Sequence, residues 1–353
     1  MPSAILIGFE YQVIKADTKD GINITTVFPN TVIDMNLVDQ FCREQNWETK
    51  YITDIKEEKL PEGVHEVVVG GRVDLKSLTF YKNNNANFIM VDTRKKFLEV
   101  FTSEIIRLSK GKDKKLFVYY TGHGIGDKNG KSSILLPNDE QVSFTEVREI
   151  ITKYFFSDGD IVCILDCCYP SSMDLPYQYV PDMALTVEIT TDINKSTNTK
   201  HVFDATKEGD YSDNLQYPPI IHRTGKWKLI EPYTACRQKF LLITSASNSQ
   251  VSAADKFGSF FTGAFFQYLR LLNHDLKTTE KTSYKWPSRN LLAICKEIVD
   301  EVNKHPKVKQ STTIYSAYKE LPIIPLWIGA FNIDILVDAE SKLLLFSEIV
   351  DGI

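Results

Sequence analysis

Two apolar runs in this chain each stop abruptly at a reactive side chain. The first, Leu116-Phe117-Val118-Tyr119-Tyr120, ends in Thr121-Gly122-His123-Gly124; the second, Ile161-Val162-Cys163-Ile164-Leu165, ends in Asp166-Cys167-Cys168. Runs apolar at every position, rich in β-branched or aromatic residues and bounded by turn residues, read as central strands of a parallel sheet, buried on both faces. In an open parallel sheet the ligand crevice lies just past the carboxyl ends of the strands. Two neighbouring strands of this kind would bring an imidazole and a thiol to one crevice, the arrangement of a cysteine hydrolase.

Either residue alone has a plainer explanation. A histidine after a strand is ordinarily a loop residue, and a cysteine beside an apolar strand is ordinarily core, since free cysteine is among the most buried residue types. Together they are harder to dismiss. Glycines on both sides of His123 leave its backbone open to unusual dihedrals and to close approach of a substrate. Between the two runs, residues 142–156 supply the helix that a crossover between parallel strands requires.

Elsewhere strand and helix signals alternate, which specifies an α/β fold with a mostly parallel sheet and right-handed crossovers. Residues 4–11 read as a strand, 33–47 as a helix and 49–55 as a weaker strand, followed by a polar stretch through residue 87 without clear period. Residues 93–110 carry Phe97, Val100, Phe101, Ile105, Ile106 and Leu108 at helical spacing. Residues 190–228, rich in Asn, Asp, Lys, Thr and Pro, read as a long polar linker. Beyond it, 240–245 read as a strand, 260–272 and 289–305 as helices and 323–328 as a final strand. The tail 332–353 reads as an added hairpin.

Charge and cysteine usage narrow the function classes. The net charge of −5 is spread along the chain, with no Lys/Arg stripe to track phosphates, so nucleic acid is not an expected partner. Lys112, Lys114 and Lys115, the densest basic cluster, read as a solvated turn before a strand. The six cysteines show no paired metal-ligand spacing and suggest reduced thiols in a cytoplasmic setting. The start has no basic n-region, and no run approaches the about 18 apolar residues of a membrane span, so no membrane association is expected. At 43% hydrophobic content the chain can bury a large core.

The two strand ends resemble those of the metacaspases, caspase-like cysteine peptidases. Thr121-Gly122-His123-Gly124 is similar to their Ser-Gly-His-Gly, and Asp166-Cys167-Cys168 to the start of their Asp-(Ser/Cys)-Cys-His-Ser-Gly. Asp174-Leu175-Pro176-Tyr177 matches the segment that follows, and residues 4–8 resemble the first strand. Residues 30–34 fall where the family has its Asn-Asp-Ala helix start. Residues 241–247, 250–253 and 261–265 are similar to the small-subunit region. The resemblance spans about residues 4–327. It implies a caspase-like three-layer sandwich, with helices on both faces of a mostly parallel sheet. Residues 1–189 would be large-subunit-like, 190–228 the linker, 229–330 the small-subunit-like part of the same domain, and 331–353 an extension.

The resemblance also implies roles. Cys168 becomes the nucleophile, His123 the acid–base partner, and the amides of Gly124 and Cys168 the oxyanion donors. Alternation at a strand end points Cys167 away from His123, as a packed or supporting thiol. Asp34, Asp166, Thr121 and Ser245 are then the expected substrate-binding residues. A buried carboxylate pair selects Arg or Lys before the scissile bond and repels Asp. Peptides or proteins are the expected substrates, the enzyme a monomer, and no cofactor or metal is expected. Many metacaspases hold calcium through four acids; here only Asp174 remains, and positions near Ser132 and Ser143 carry hydroxyls or apolar neighbours, too few charged ligands for calcium.

Departures from the pattern keep a rival in play. The family's His-Ser-Gly is Tyr169-Pro170-Ser171 here, and its acidic pair before Gln250 is Asn248-Ser249. A catalytically impaired caspase-fold scaffold is therefore the alternative reading. An α/β-hydrolase with a cysteine nucleophile fails, because Cys168 lacks the flanking glycines of a nucleophile elbow.

Overall fold

The computed structural model describes residues 2–11, 30–55, 64–67, 71–74, 87–126, 132–188, 221–247, 249–252, 254–255, 258–263, 265–266, 310–318, 325–326 and 333–334. Nine strands form its principal sheet: β1 (Ser3–Gly8), β2 (Glu48–Thr53), β3 (Phe88–Met90), β4 (Lys115–Gly122), β5 (Asp160–Cys167), β6 (Tyr177–Glu188), β7 (Ile221–Leu229), β8 (Lys239–Thr244) and β9 (Thr313–Ser316). Across the sheet they lie in the order β7-β6-β9-β8-β5-β4-β1-β2-β3. The six from β8 to β3 run parallel, and β9, β6 and β7 add antiparallel pairings at one side.

Side-chain alternation on β4 and β5 divides the core in two. Leu116, Val118 and Tyr120 join Ile161, Cys163, Leu165 and Cys167 in one apolar cluster with α2 (Arg94–Ser109) and α3 (Phe144–Tyr154). Phe97, Phe101, Phe144, Val147 and Ile151 are their buried contributions to it. On the opposite face Phe117 and Tyr119 pack against Phe266, which also meets Phe41 of α1 (Asn30–Glu44). A sheet covered on both faces needs strands apolar at successive positions, which is why the two runs carry no polar alternation.

Helix starts are fixed by local chemistry. Thr93 caps α2 by accepting from the Lys96 amide. Ser143 and Glu146 form a reciprocal capping box on α3, satisfying two amides that have no partner within the helix. Thr31 Oγ1 donates to the Phe9 carbonyl at 3.1 Å, tying the beginning of α1 to the end of β1. Gly8 is enforced by the same packing, since a Cβ there would lie 2.2 Å from Met35 Sδ.

Several expectations need correction. The linker expected at 190–228 ends sooner, because residues 221–228 belong to β7, paired antiparallel with β6. A charged edge strand looks like a loop in sequence, since only one of its sides is paired. The polar stretch before residue 87 contains a hairpin, Val64–Val67 with Gly71–Asp74. Of the final strand expected at 323–328, the described residues Pro325–Leu326 are strand, paired antiparallel with Ile333–Asp334 of the tail. Of the helix expected at 260–272, the described residues 260–263 and 265–266 are helical, and 264 and 267–272 lie outside the described residues. The helix expected at 289–305, most of the linker and the remainder of the tail lie outside the described residues.

Candidate active site

β4 and β5 are neighbours, with Thr121 opposite Asp166 and Gly122 opposite Cys167. His123 and Cys168 are each the next residue beyond those paired ends. The chain runs from β1 outward to β2 and β3 and then returns to β4 on the other side of β1, so the strand order reverses between β1 and β4, beside the β4–β5 pair. Crevices at such switch points are where open α/β sheets bind ligands.

The glycines around His123 each have a steric reason. Gly122 sits at φ +146°, and a Cβ there would come within 2.8 Å of Tyr11 Oη and 3.0 Å of Tyr120 Oη. A Cβ at Gly124 would lie 1.8 Å from the Cys168 carbonyl oxygen and 3.0 Å from Cys167 Sγ. The strand Gly124–Gly126 thus lies directly against the Cys168 backbone. No larger side chain fits that approach.

The two cysteines part as strand alternation requires. Cys167 is buried in the cluster with α2 and α3, whereas Cys168 is half-buried. Cys168 Sγ lies 3.9 Å from the Ser252 carbonyl. Burial pushes the Cys168 thiol upward in pKa, and the Asp166 carboxylate adds in the same direction. Among the described residues no disulfide forms; Cys42, Cys163, Cys167, Cys168 and Cys236 are all thiols.

Around the ends of β4 and β5 lie two buried carboxylates. Asp34, on α1, accepts from Thr121 Oγ1 at 3.1 Å and from the Ser259 amide at 2.8 Å. Gly258 makes that approach possible, for a Cβ there would lie 2.7 Å from Asp34 Oδ1. Asp166 accepts from Ser252 Oγ at 2.7 Å and from Thr262 Oγ1. The Tyr119 hydroxyl is 2.7 Å from Thr262 Oγ1. Burial, and then the charges of Asp34 and Asp166, raise the Tyr119 pKa, so both acids act on one phenol. The result is a pair of buried carboxylates held by hydroxyl and amide donors.

Of the expected substrate-binding residues, Asp34, Asp166 and Thr121 come together here. Ser245 is fully buried; its Oγ donates to Ser252 Oγ at 2.9 Å and so stands behind the hydroxyl that holds Asp166. Ser252, Thr262 and Tyr119 were not singled out in sequence, although the first two lie within segments that resemble the family. Tyr119 is hidden by its apolar neighbours, which make it look like core alone.

After Cys168 the chain takes an unusual path. Tyr169, Met173 and Asp174 have φ of 50°, 53° and 53°. Left-handed conformations at non-glycine residues cost about 1 kcal/mol or more each and persist where surrounding contacts fix them. Here the Tyr169 amide donates to the Gln250 carbonyl at 2.9 Å, and the Thr234 amide to the Asp174 carbonyl at 3.0 Å. Gln250 in turn accepts from the Ser311 amide at 2.8 Å. Arg148, almost fully buried on α3, donates to the Thr234 carbonyl at 3.1 Å.

The caspase-domain family profile matches residues 4–321. The chain belongs to the caspase-domain family of cysteine peptidases. Its nine-stranded, mostly parallel sheet with helices is the caspase-like fold. Among solved structures it is similar to a protein of Geobacter sulfurreducens, with 13% identity over 95% of this chain and 100% of that one and a TM-score of 0.43. It is also similar to caspase-1 of Spodoptera frugiperda, with 13% identity over 90% and 89% of the two chains and a TM-score of 0.41. No curated protein matches the chain in sequence. Among the described residues no helix is long and apolar enough to cross a membrane.

Proposed function

We propose that this caspase-domain protein is a cysteine endopeptidase of the metacaspase kind, cleaving peptides after Arg or Lys. Cys168 attacks the scissile carbonyl to form a thioester. His123 protonates the leaving amine and then activates the hydrolytic water. The amides of Gly124 and Cys168 would receive the oxyanion. The observation that carries the specificity is the buried pair Asp34 and Asp166, both acting on the Tyr119 phenol, with Asp166 also acting on the Cys168 thiol. A guanidinium or ammonium group offsets the desolvation of such carboxylates, whereas an Asp side chain would add a third negative charge.

The test is a matched pair of peptides differing only in the residue before the cleavage site. The Arg peptide should be turned over and its Asp counterpart should not. Asp166→Asn removes a charge-assisted contact of about 1.5–3 kcal/mol, so kcat/KM for the Arg peptide should fall about tenfold or more. Comparable rates on the Arg and Asp peptides would sink the specificity reading. No hydrolysis of any peptide in a library varied at that position would favour the impaired scaffold.

Self-cleavage follows from the same specificity. The stretch 190–228 holds Lys195, Lys200, Lys207, Arg223, Lys226 and Lys228 as candidate cleavage points, but Arg223, Lys226 and Lys228 lie in β7, paired with β6, a poor substrate geometry. Cleavage is therefore expected after Lys195, Lys200 or Lys207. Calcium is not expected to trigger it: the Asp174 carboxylate takes the Thr145 hydroxyl at 2.9 Å, and Ser143 is committed to its helix cap. Mass spectrometry of incubated protein should find these cuts in the wild type and none in Cys168→Ala, with little change on adding millimolar calcium. An intact wild type, or cutting that requires calcium, refutes the corresponding half.

A further inference from the structure

We infer that Tyr11 and Tyr120 are positioning residues that clamp His123 from both sides of its peptide and so aim its imidazole. The inference rests on His123 being the acid–base residue of the proposed reaction. The His123 amide donates to Tyr11 Oη at 2.7 Å, and Tyr120 Oη donates to the His123 carbonyl at 2.7 Å. The Leu135 amide reaches the same carbonyl at 3.1 Å. The Tyr11 ring then packs on the imidazole, with centroids 4.6 Å apart and planes inclined by 52°. One side chain thus fixes both the backbone and the ring of His123.

Proton bookkeeping supports this direction of the bonds. Tyr120 gives its only proton to the His123 carbonyl. Tyr11, which accepts from the His123 amide, has its proton available for the Leu135 carbonyl at 3.1 Å or for Tyr120 Oη at 3.3 Å. Burial raises the pKa of both phenols, so both stay protonated through the working range of the enzyme.

Tyr11 is itself held. It sits at φ 60°, a conformation costly for an aromatic residue, just past the end of β1. The Asp54 carboxylate, beyond the end of β2, accepts the amides of Glu10 at 2.7 Å and Tyr11 at 2.8 Å. Both phenols approach through the space that a side chain at position 122 would fill, which explains the glycine there. Flanked by two glycines, His123 gains little rigidity from its own chain; two buried phenols supply it. Misplacement of a catalytic group by about 1 Å can cost about 10²-fold in rate.

Tyr11→Phe keeps the ring packing and deletes the acceptor; Tyr120→Phe deletes the donor. Each should lower kcat on the Arg peptide about tenfold or more, with KM within about twofold, because substrate binding is not touched. Hydrogen exchange of the His123 amide, followed in 15N-labelled protein, should accelerate about tenfold or more in Tyr11→Phe. Unchanged exchange overturns the clamp whatever the activity. Faster exchange with unchanged kcat overturns its positioning role. Equal changes in KM and kcat point to general loosening and also overturn it. A wild type inactive on every peptide would instead defeat the proposed peptidase function, while the exchange measurement still decides whether the phenols hold His123.

Discussion

Cys168→Ala and His123→Ala should each abolish peptide cleavage with the fold intact, whereas Cys167→Ala should retain a substantial fraction. The asymmetry between adjacent thiols comes from the strand end. Cys167 continues the face of Cys163 and Leu165 into the cluster with α2 and α3, and only 2% of it is exposed. Its truncation removes one sulfur from the core, a loss of about 1–2 kcal/mol of stability. Of these two thiols Cys168 is the one with access to solvent, and iodoacetamide should label it and spare Cys167. Because burial and Asp166 raise its pKa, the labelling rate of the resting enzyme should still be rising above the pH at which an ordinary thiol has ionised. Full activity in Cys168→Ala together with a dead Cys167→Ala would reverse the assignment.

Gly124→Ala should be nearly as damaging, although it adds a single methyl group. The new Cβ would lie 1.8 Å from the Cys168 carbonyl oxygen, and backbone on both sides leaves no flexible side chain to yield. The strand Gly124–Gly126 or Cys168 must shift by about 1 Å, enough for about a 10²-fold loss of kcat/KM. Stability should fall by about 1–3 kcal/mol, as overpacking usually costs. Gly126→Ala is the control, since its Cβ would meet Tyr169 Cβ at 3.3 Å, a contact that a small adjustment relieves. Kinetics on the Arg peptide with thermal melts separates the two losses. Wild-type kcat/KM in Gly124→Ala would mean that the two backbones are not in this contact.

What could be read from sequence follows physical visibility. β4, β5 and β8 declared themselves because a strand covered on both faces is apolar throughout. α2 did so through Phe97, Val100, Phe101, Ile105 and Leu108 at helical spacing. β9, the four residues Thr313–Ser316, is too short to show a period, and its burial comes from β8 and β6 on either side. β6 is interrupted by Pro181, where its register with β7 begins to shift, so no clean alternation survives. At the site, His123 and Cys168 stood out by their place after strands, and Asp34 and Asp166 through resemblance. The hydroxyls that hold Asp166 come from Ser252 and Thr262, 86 and 96 residues away, distances over which sequence spacing carries no signal. Tyr11 and Tyr120 were hidden for another reason: an apolar ring buried in a core gives no hint of what its hydroxyl touches.

The strand order sets a constraint on how the protein can be made. β5 and β6 are consecutive in the chain, yet β8 and β9, synthesised much later, lie between them in the sheet. While a ribosome extends the chain, β5 therefore presents a bare parallel edge and β6 has no docking place on it. An unpaired apolar edge of this kind invites pairing with other chains, and synthesis at about 5–20 residues per second prolongs the exposure. The nascent chain should depend on chaperone cover until residue 316 has emerged. The hydroxyls that hold Asp166 come from Ser252 and Thr262, so a chain terminated before residue 252 would carry Cys168 beside an Asp166 without either donor.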